Sequence, residues 1–345
     1  MTEIERRSQP AGIATTQLSQ EAREALAAGR ADSTRRVYRL DREEFVAWCA
    51  QRGERPVPAS QELLIEYATH LTTAPRPRTG RPASPSSISR ALSAISTMHA
   101  ELDLPKPETK GARQVISGYK HRLAVNKDPA ARPRQAAAAV PTALRQMLAV
   151  LDRDTLAGKR DAALLLLGYA AATRSSELVG LDIGDLVEQE EGIQVAIYRV
   201  KMKKFTDTAV PYGTNPSTCP VRALRALVAA MREEGRTDGP LFVRVDRHGR
   251  IAPPMVRRGQ PIGDPAGRLT PDAASDVVER LAAAAGLQGR WRGHSLRRGF
   301  ATASAKAKHP MVRIARQGGW ADNSTSLSRY FEEGDPWEDN PVTGL

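Results

Sequence analysis

Apolar residues recur every three or four positions through most of the first 125 residues, the spacing of helices that bury one face. Val37, Leu40, Phe45, Trp48 and Cys49 form one such stripe, with Ser33 as its expected N-cap and Gly53 as its stop. Ser60 heads a second stripe through Leu63, Leu64, Tyr67 and Leu71. Ser84 followed by Pro85 heads a third, carrying Ile88, Leu92, Ile95, Met98 and Leu102. The basic, proline-rich "TAPRPRTGRPASP" between the last two is a loop. These stripes predict a small helical bundle over 17–125, preceded by a polar, aperiodic arm over 1–16.

The periodicity breaks in "NKDPAARPRQAAAAVPT", whose prolines and alanines mark a basic linker over 126–141. Beyond it, "ALRQMLAVL" and "KRDAALLLLGYAAAT" read as helices. "GIQVAIYRV" and "TDTAVPYG" alternate apolar and polar residues around "KMKKF", which predicts a hairpin or short sheet. "CPVRALRALVAAM", "TPDAASDVVERLAAAAG", "SLRRGFATASAKA" and "MVRIARQGG" return to helical spacing. The expected fold class is therefore mainly α with a small β-sheet. The N-terminal helical bundle is followed by a mixed α+β domain over 142–330 and an acidic tail over 331–345.

Length and composition are compatible with that division. A chain of 345 residues, 41% hydrophobic and 26% charged, can bury a core in each of two domains. No uninterrupted apolar run approaches the roughly 20 residues that span a bilayer, and the first 19 residues carry no apolar stretch of signal-peptide type. The expectation is a cytoplasmic protein with no membrane partner. Cys49 and Cys219 are too few for a metal site and too isolated for a disulfide framework, so both read as buried thiols.

Charge narrows the partner. Lys plus Arg number 51 against 39 Asp plus Glu, a net +12, which favours a polyanion and most often nucleic acid. Residues 331–345 hold Glu332, Glu333, Asp335, Glu338 and Asp339 with no Lys or Arg, so the remainder is more basic still. Between Leu104 and Arg134 there are eight Lys or Arg and two acids, Glu108 and Asp128. That run reads as a phosphate-facing surface or as a solvated helix face.

A phosphate-cradling glycine loop, HExxH, paired Cys or His ligands and GxSxG are all missing from the chain. What the second half does hold is "ATRSSELVGL" with Arg174 and Glu177, "YRVKMKKF" with Lys201, Lys203 and Lys204, "RGHSLRRGF" with His294 and Arg297, and "GGWADNSTSLSRY" with Trp320 and Tyr330. Each has an ordinary structural reading by itself. Arg174 and Glu177 make an i,i+3 ion pair, and Trp320 belongs in a core.

In order and spacing, however, these residues resemble the tyrosine recombinases, or phage integrases. That family's pattern is an Arg in a helix-end TRxxEL box, a Lys on a β-hairpin, HxxR opening a later helix, a His or Trp after a GG or LG turn, and a Tyr nine or ten residues on. Arg174 with Glu177, Lys201, His294 with Arg297, Trp320 and Tyr330 match it, although most members carry His where Trp320 stands. "LFVRV" reads as a strand ahead of the HxxR helix. The match extends over 17–335, strongest after residue 160. It implies a core-binding, SAM-like N-terminal bundle and a tyrosine-recombinase catalytic domain that acts without cofactor or metal. It further implies double-stranded DNA with a specific recombination site as partner, and a homotetramer on two duplexes that exchanges strands through a Holliday junction. Spacing from Arg174 favours Lys201 as the family lysine, and counting back from Pro211 favours Lys203. Trp337, Val342 and Leu345 of the acidic tail are expected to dock on a neighbouring protomer, an expectation that unchanged tetramer assembly on DNA after deletion of residues 334–345 would reject.

The chemistry explains why these residue types are needed. A phosphodiester attacked by a phenol gains charge on its non-bridging oxygens, which planar, always-charged guanidiniums such as Arg174 and Arg297 can hold bidentately. A tyrosine of ordinary pKa, about 10, needs a base, for which His294 is the candidate. The leaving 5'-oxygen needs a proton, which the hairpin lysine can supply. Trp320 offers one indole N–H and an apolar wall, and Glu177 orients Arg174. Two other readings share the fold or the reaction: a catalytically silent DNA-binding regulator and a type IB topoisomerase. The filled constellation argues against the first, and the helical N-terminal half with "QGGW" against the second.

Overall fold

The computed structural model describes residues 32–332 except 77–78, 133–134 and 322–323, together with a few positions between 19 and 29. The expected arm over 1–16 and nearly all of the acidic tail lie outside the described residues. The chain divides into two compact units, with the boundary between Arg134 and Gln135.

Among the described residues from Asp32 on, the first unit holds the helices α1 (Asp32–Gln51), α2 (Gln61–Thr73), α3 (Pro85–Glu101) and α4 (Lys110–Val125). Local chemistry accounts for their ends. Ser60 accepts from the Leu63 N–H and Ser84 from the Ser87 N–H, so both are true N-caps, and Pro85 takes the first helical position. Ser33 is not a cap, because α1 already includes it. Gly53, at φ 69°, follows the end of α1. Phe45, Trp48, Leu64, Tyr67, Ile88, Leu92, Ile95 and Ile116 form the core. Two residues of the predicted stripes are corrected: Leu40 and Leu102 are exposed, since the core of this unit is narrower than a stripe read from spacing alone. Inside this unit Asp41 is buried and accepts two hydrogen bonds from Arg90, of 2.7 and 3.0 Å. Arg113, Lys120 and Arg122 lie on the exposed side of α4.

The predicted linker is mixed in character. Pro129–Ala131 is a short 3-10 turn of the first unit, whereas Ala137 and Ala139 donate backbone hydrogen bonds to the Arg290 and Ser295 carbonyls of the second. Ala139 is fully buried there.

The second unit contains α5 (Pro141–Ala149), α6 (Leu156–Ala170), α7 (Ser175–Val179), a sheet of β1 (Leu186–Gln189), β2 (Gly192–Arg199) and β3 (Lys204–Pro211), α8 (Pro220–Glu233), the ribbon β4 (Met255–Arg257) and β5 (Gln260–Ile262), then α9 (Pro271–Ala284), α10 (His294–Lys306), α11 (Met311–Gly318) and α12 (Thr325–Glu332). Helix α6 is its centre. Leu164 to Leu167 are all buried, so the "LLLL" run belongs to a helix covered on every side, at about 1.5–3 kcal/mol per leucine removed from water. The strands run antiparallel in the order β1-β2-β3, and Arg199 pairs with Lys204 across a four-residue turn, 200–203. Of the two expected forms, hairpin or short sheet, the structure has the short sheet, with β1 added to the pair read from the sequence. "LFVRV" is not a strand: Val243 and Val245 make only isolated bridges, to Arg268 and Ile251. The architecture is mainly helical with small antiparallel sheets, as the sequence pattern implies. Among the described residues no helix is long and apolar enough to cross a membrane.

Candidate active site

Four chain segments of the second unit meet around a cluster of cationic side chains. The first is the end of α6. Ala172 holds φ 46°, a left-handed conformation that costs a non-glycine residue about 1 kcal/mol or more and turns the chain sharply into α7. Arg174 is the residue that precedes α7, where its backbone N–H donates to Glu177 Oε2 (3.0 Å) and its guanidinium Nη1 to Glu177 Oε1 (2.5 Å). Glu177 is buried, whereas the Arg174 side chain keeps an exposed side. The surface ion pair read from the sequence is therefore a half-buried one whose carboxylate orients the arginine.

The second segment is the start of α10. Gly293 packs so closely on Ser175 that a side chain there would overlap it, which sets the first turn of α10 against the first turn of α7. His294 opens α10 and Arg297 follows one turn on, on the same face. Arg297 is fully buried. Its Nη1 donates to the carbonyls of both Ala172 and Gly318, while its Nη2 is buried with no hydrogen-bond partner. Removal from water, with the nearby Arg174 and Arg199, pushes its pKa down to about 9, so the group stays protonated at neutral pH in an environment short of negative charge. A buried donor left open among cations is what an incoming anion would complete.

The third segment is the turn after α11. Gly318 has no room for a side chain because the Trp320 ring lies against it, and Gly319 takes the left-handed conformation at φ 62°. Trp320 is thereby folded under Arg297, whose guanidinium carbon sits 3.5 Å from the ring centroid. Trp320 also packs with Ala172, Ala301, Ile314, Ala315 and Leu327. The fourth segment is α12. Leu327 is buried in that small core and anchors the helix, and one turn later Tyr330 stands half-buried, edge-on to Trp320 at 6.3 Å between ring centroids.

The Tyr330 hydroxyl lies 3.4 Å from His294 Nε2, longer than a tight hydrogen bond and within reach of proton transfer after a small closure. The imidazole is crowded by protein atoms on one side, and this crowding, with Arg297, Arg174 and Arg298, holds its pKa below the ordinary histidine value. His294 keeps part of its surface in solvent all the same. Low proton affinity keeps the ring neutral, the form that accepts a proton.

Arg174, Glu177, His294, Arg297, Trp320 and Tyr330 are therefore brought together. The hairpin lysines are not buried with the cluster: Lys201 and Lys203 have exposed side chains on the turn between β2 and β3, Lys203 at φ 52°. Between the two aromatics, Asp322 and Asn323 lie outside the described residues. One member of the cluster escapes sequence reading. Arg199, the last residue of β2, is wholly buried and bonds Glu177. Its signal lies in the strand alternation, because Ile193, Val195, Ile197 and Arg199 share the inward parity.

The family model falls on this unit, and the relatives match over most of the chain. The model of the phage integrase family matches residues 141–335, a span that contains every residue of the cluster. The chain is 27% identical over 332 residues to an integrase/recombinase xerD homolog of Selenomonas ruminantium, covering 95% of this chain and 89% of that one. It is 25% identical over 318 residues to the recombinase cre of Escherichia phage P1, covering 84% and 85%. Among solved structures, a lambda integrase dimer bound to a COC' core site matches with a TM-score of 0.57 at 13% identity, over 91% of this chain and 94% of that one. A post-cleavage complex of the XerH site-specific recombinase matches with a TM-score of 0.52 at 18% identity, over 80% and 69%. The two structural matches concern the fold alone, but the family model spans more than half of the chain and the whole of its cationic site. The chain belongs to the phage integrase family.

Proposed function

We propose that this protein is a site-specific DNA recombinase that cleaves and rejoins strands through a 3'-phosphotyrosyl intermediate. The observation that carries the reading is the convergence of the Tyr330 hydroxyl on His294 beside a buried Arg297 whose Nη2 lacks a partner. A scissile phosphate suits that donor in charge and in hydrogen-bonding capacity.

In the proposed reaction Arg174 and Arg297 hold the non-bridging oxygens, and Trp320 backs Arg297 and offers its indole N–H. The Tyr330 oxygen attacks phosphorus while its proton passes to His294. The phosphorus–5'-oxygen bond breaks, and the leaving oxygen takes a proton from a hairpin lysine, Lys201 by preference. The new phosphotyrosyl ester conserves the energy of the broken ester, so rejoining by a 5'-hydroxyl of another strand needs no nucleotide. Two such exchanges through a Holliday junction, carried out by four protomers on two duplexes, complete recombination. Glu177 keeps Arg174 aimed and does not touch DNA.

The lysine can be identified chemically. With a substrate bearing sulfur at the 5'-bridging position, which leaves without protonation, cleavage by Lys201→Ala is expected to return to within about tenfold of the unsubstituted protein, against a loss on the order of 10²–10⁴-fold with oxygen. Restoration in Lys203→Ala instead would assign the proton to Lys203.

A further inference from the structure

Arg199 and Arg297 are among the largest fully buried side chains of the described residues, and they grip the same two chain segments. Arg297 bonds the carbonyls of Ala172 and Gly318; Arg199 Nη2 bonds the carbonyls one residue earlier in each, Ala171 (3.5 Å) and Gln317 (2.8 Å). Arg199 reaches further. Its Nε donates to Thr206 (3.0 Å), its Nη2 also to Thr208 (3.2 Å), and its Nη1 to Glu177 Oε2 (3.2 Å), the carboxylate that orients Arg174. The backbone of Gly319 lies against its stem, where an added side chain would come within 2.8 Å of Cδ and Nε.

These bonds join one end of the sheet to the parts that hold phosphate. Arg199 ends β2, two residues before Lys201, and its threonine partners lie on β3. The turn that carries the lysines has exposed side chains apart from half-buried Met202, and its Met202 N–H donates to the Arg199 carbonyl at the root of the hairpin (2.9 Å). We propose that Arg199 is a positioning residue: it fixes the β2–β3 hairpin, and with it the leaving-group lysine, against the arginines that hold the phosphate, without contacting DNA itself. The proposal rests on the reading that a hairpin lysine protonates the 5'-oxygen. An arginine suits the task because a lysine or an apolar residue cannot donate at once to two threonines, a carboxylate and two carbonyls. Displacement of a reacting group by about 1 Å costs on the order of 100-fold in rate.

The test compares two suicide substrates, with oxygen and with sulfur at the 5'-bridging position, in single-turnover cleavage at saturating DNA. For Arg199→Met the oxygen substrate is expected to slow by about 100-fold and the sulfur substrate by no more than about tenfold, with DNA affinity within about twofold of the unsubstituted protein. Arg199→Lys is expected to lie between the two. The ratio of the two rates in one preparation is indifferent to the fraction folded, so a purely structural loss lowers both rates equally. Equal slowing, or none, in both variants overturns the proposal. Should Arg199→Met fail to fold, the ratio for Arg199→Lys decides. Lys201→Ala and Lys203→Ala, measured alongside, separate the two levels. If neither discriminates between oxygen and sulfur, the lysine reading itself fails; if one does and the Arg199 variants do not, only the positioning role is lost.

Discussion

Replacing Tyr330 with Phe is expected to abolish the covalent protein–DNA adduct formed on a nicked suicide duplex carrying the protein's site, a loss on the order of 10⁴-fold or more. The substitution removes one oxygen and leaves the ring that packs edge-on to Trp320, so α12 should stay docked. DNA binding should persist, because the cationic groups are untouched. Adduct that forms as fast in Tyr330→Phe as in the unsubstituted protein would mean that another residue is the nucleophile. An unsubstituted protein that binds its site and never forms adduct would favour the silent-regulator reading. The pH dependence adds a second signature. His294 has a lowered pKa, so it stays neutral as pH falls through the ordinary value near 6.5 and protonates only below it. The second-order rate of adduct formation should therefore hold down to about pH 6.5 and fall on the acid side of it.

Arg297→Lys is expected to slow cleavage by about 10²–10³-fold at saturating DNA. The substitution keeps a positive charge, but an ammonium cannot satisfy the Ala172 and Gly318 carbonyls and at the same time present a separate donor to phosphate. A carbonyl left unpaired in the interior costs about 1–3 kcal/mol, so the melting temperature should fall by a few degrees while binding of the specific duplex, spread over many contacts, changes little. Cleavage within a few-fold of the unsubstituted protein would show that the buried Nη2 is not the phosphate donor. The contrast with Tyr330→Phe is diagnostic. One variant removes the proposed nucleophile and leaves its ring packed, and the other weakens both the proposed charge clamp and the two chain crossings that Arg297 holds together.

The sequence carried the elements whose causes are local. Ser60 and Ser84 cap because a hydroxyl two or three residues ahead of an unpaired N–H needs no distant partner. Alternation in "GIQVAIYRV" required a strand with one buried face, and the order of Arg174, Lys201, His294, Arg297, Trp320 and Tyr330 carried the resemblance to the tyrosine recombinases. Spacing was less informative where a neighbour decides exposure. Leu40 and Leu102 fit their stripes and are left in solvent, whereas Ala139 of the supposed linker is fully buried, its N–H bonded to the Ser295 carbonyl of α10.

What tertiary structure alone decided is the distances between groups far apart in the chain. Residues 36 positions apart bring the Tyr330 hydroxyl to 3.4 Å from His294, and the left-handed turns at Ala172 and Gly319 aim the carbonyls around Arg297. Arg199 is the clearest case. In the sequence it is one more basic residue ahead of a lysine-rich turn, and its inward parity is a hint without an explanation. Its burial is tolerable only because Glu177, two threonines and two backbone carbonyls from four other segments converge on it. Burying a charge costs several kcal/mol unless such partners are in place, and only the folded chain can assemble them. The sequence by itself determined which chemical groups are available and in what order; the folded chain decided which of them share a site, because that depends on long-range packing that no local pattern encodes.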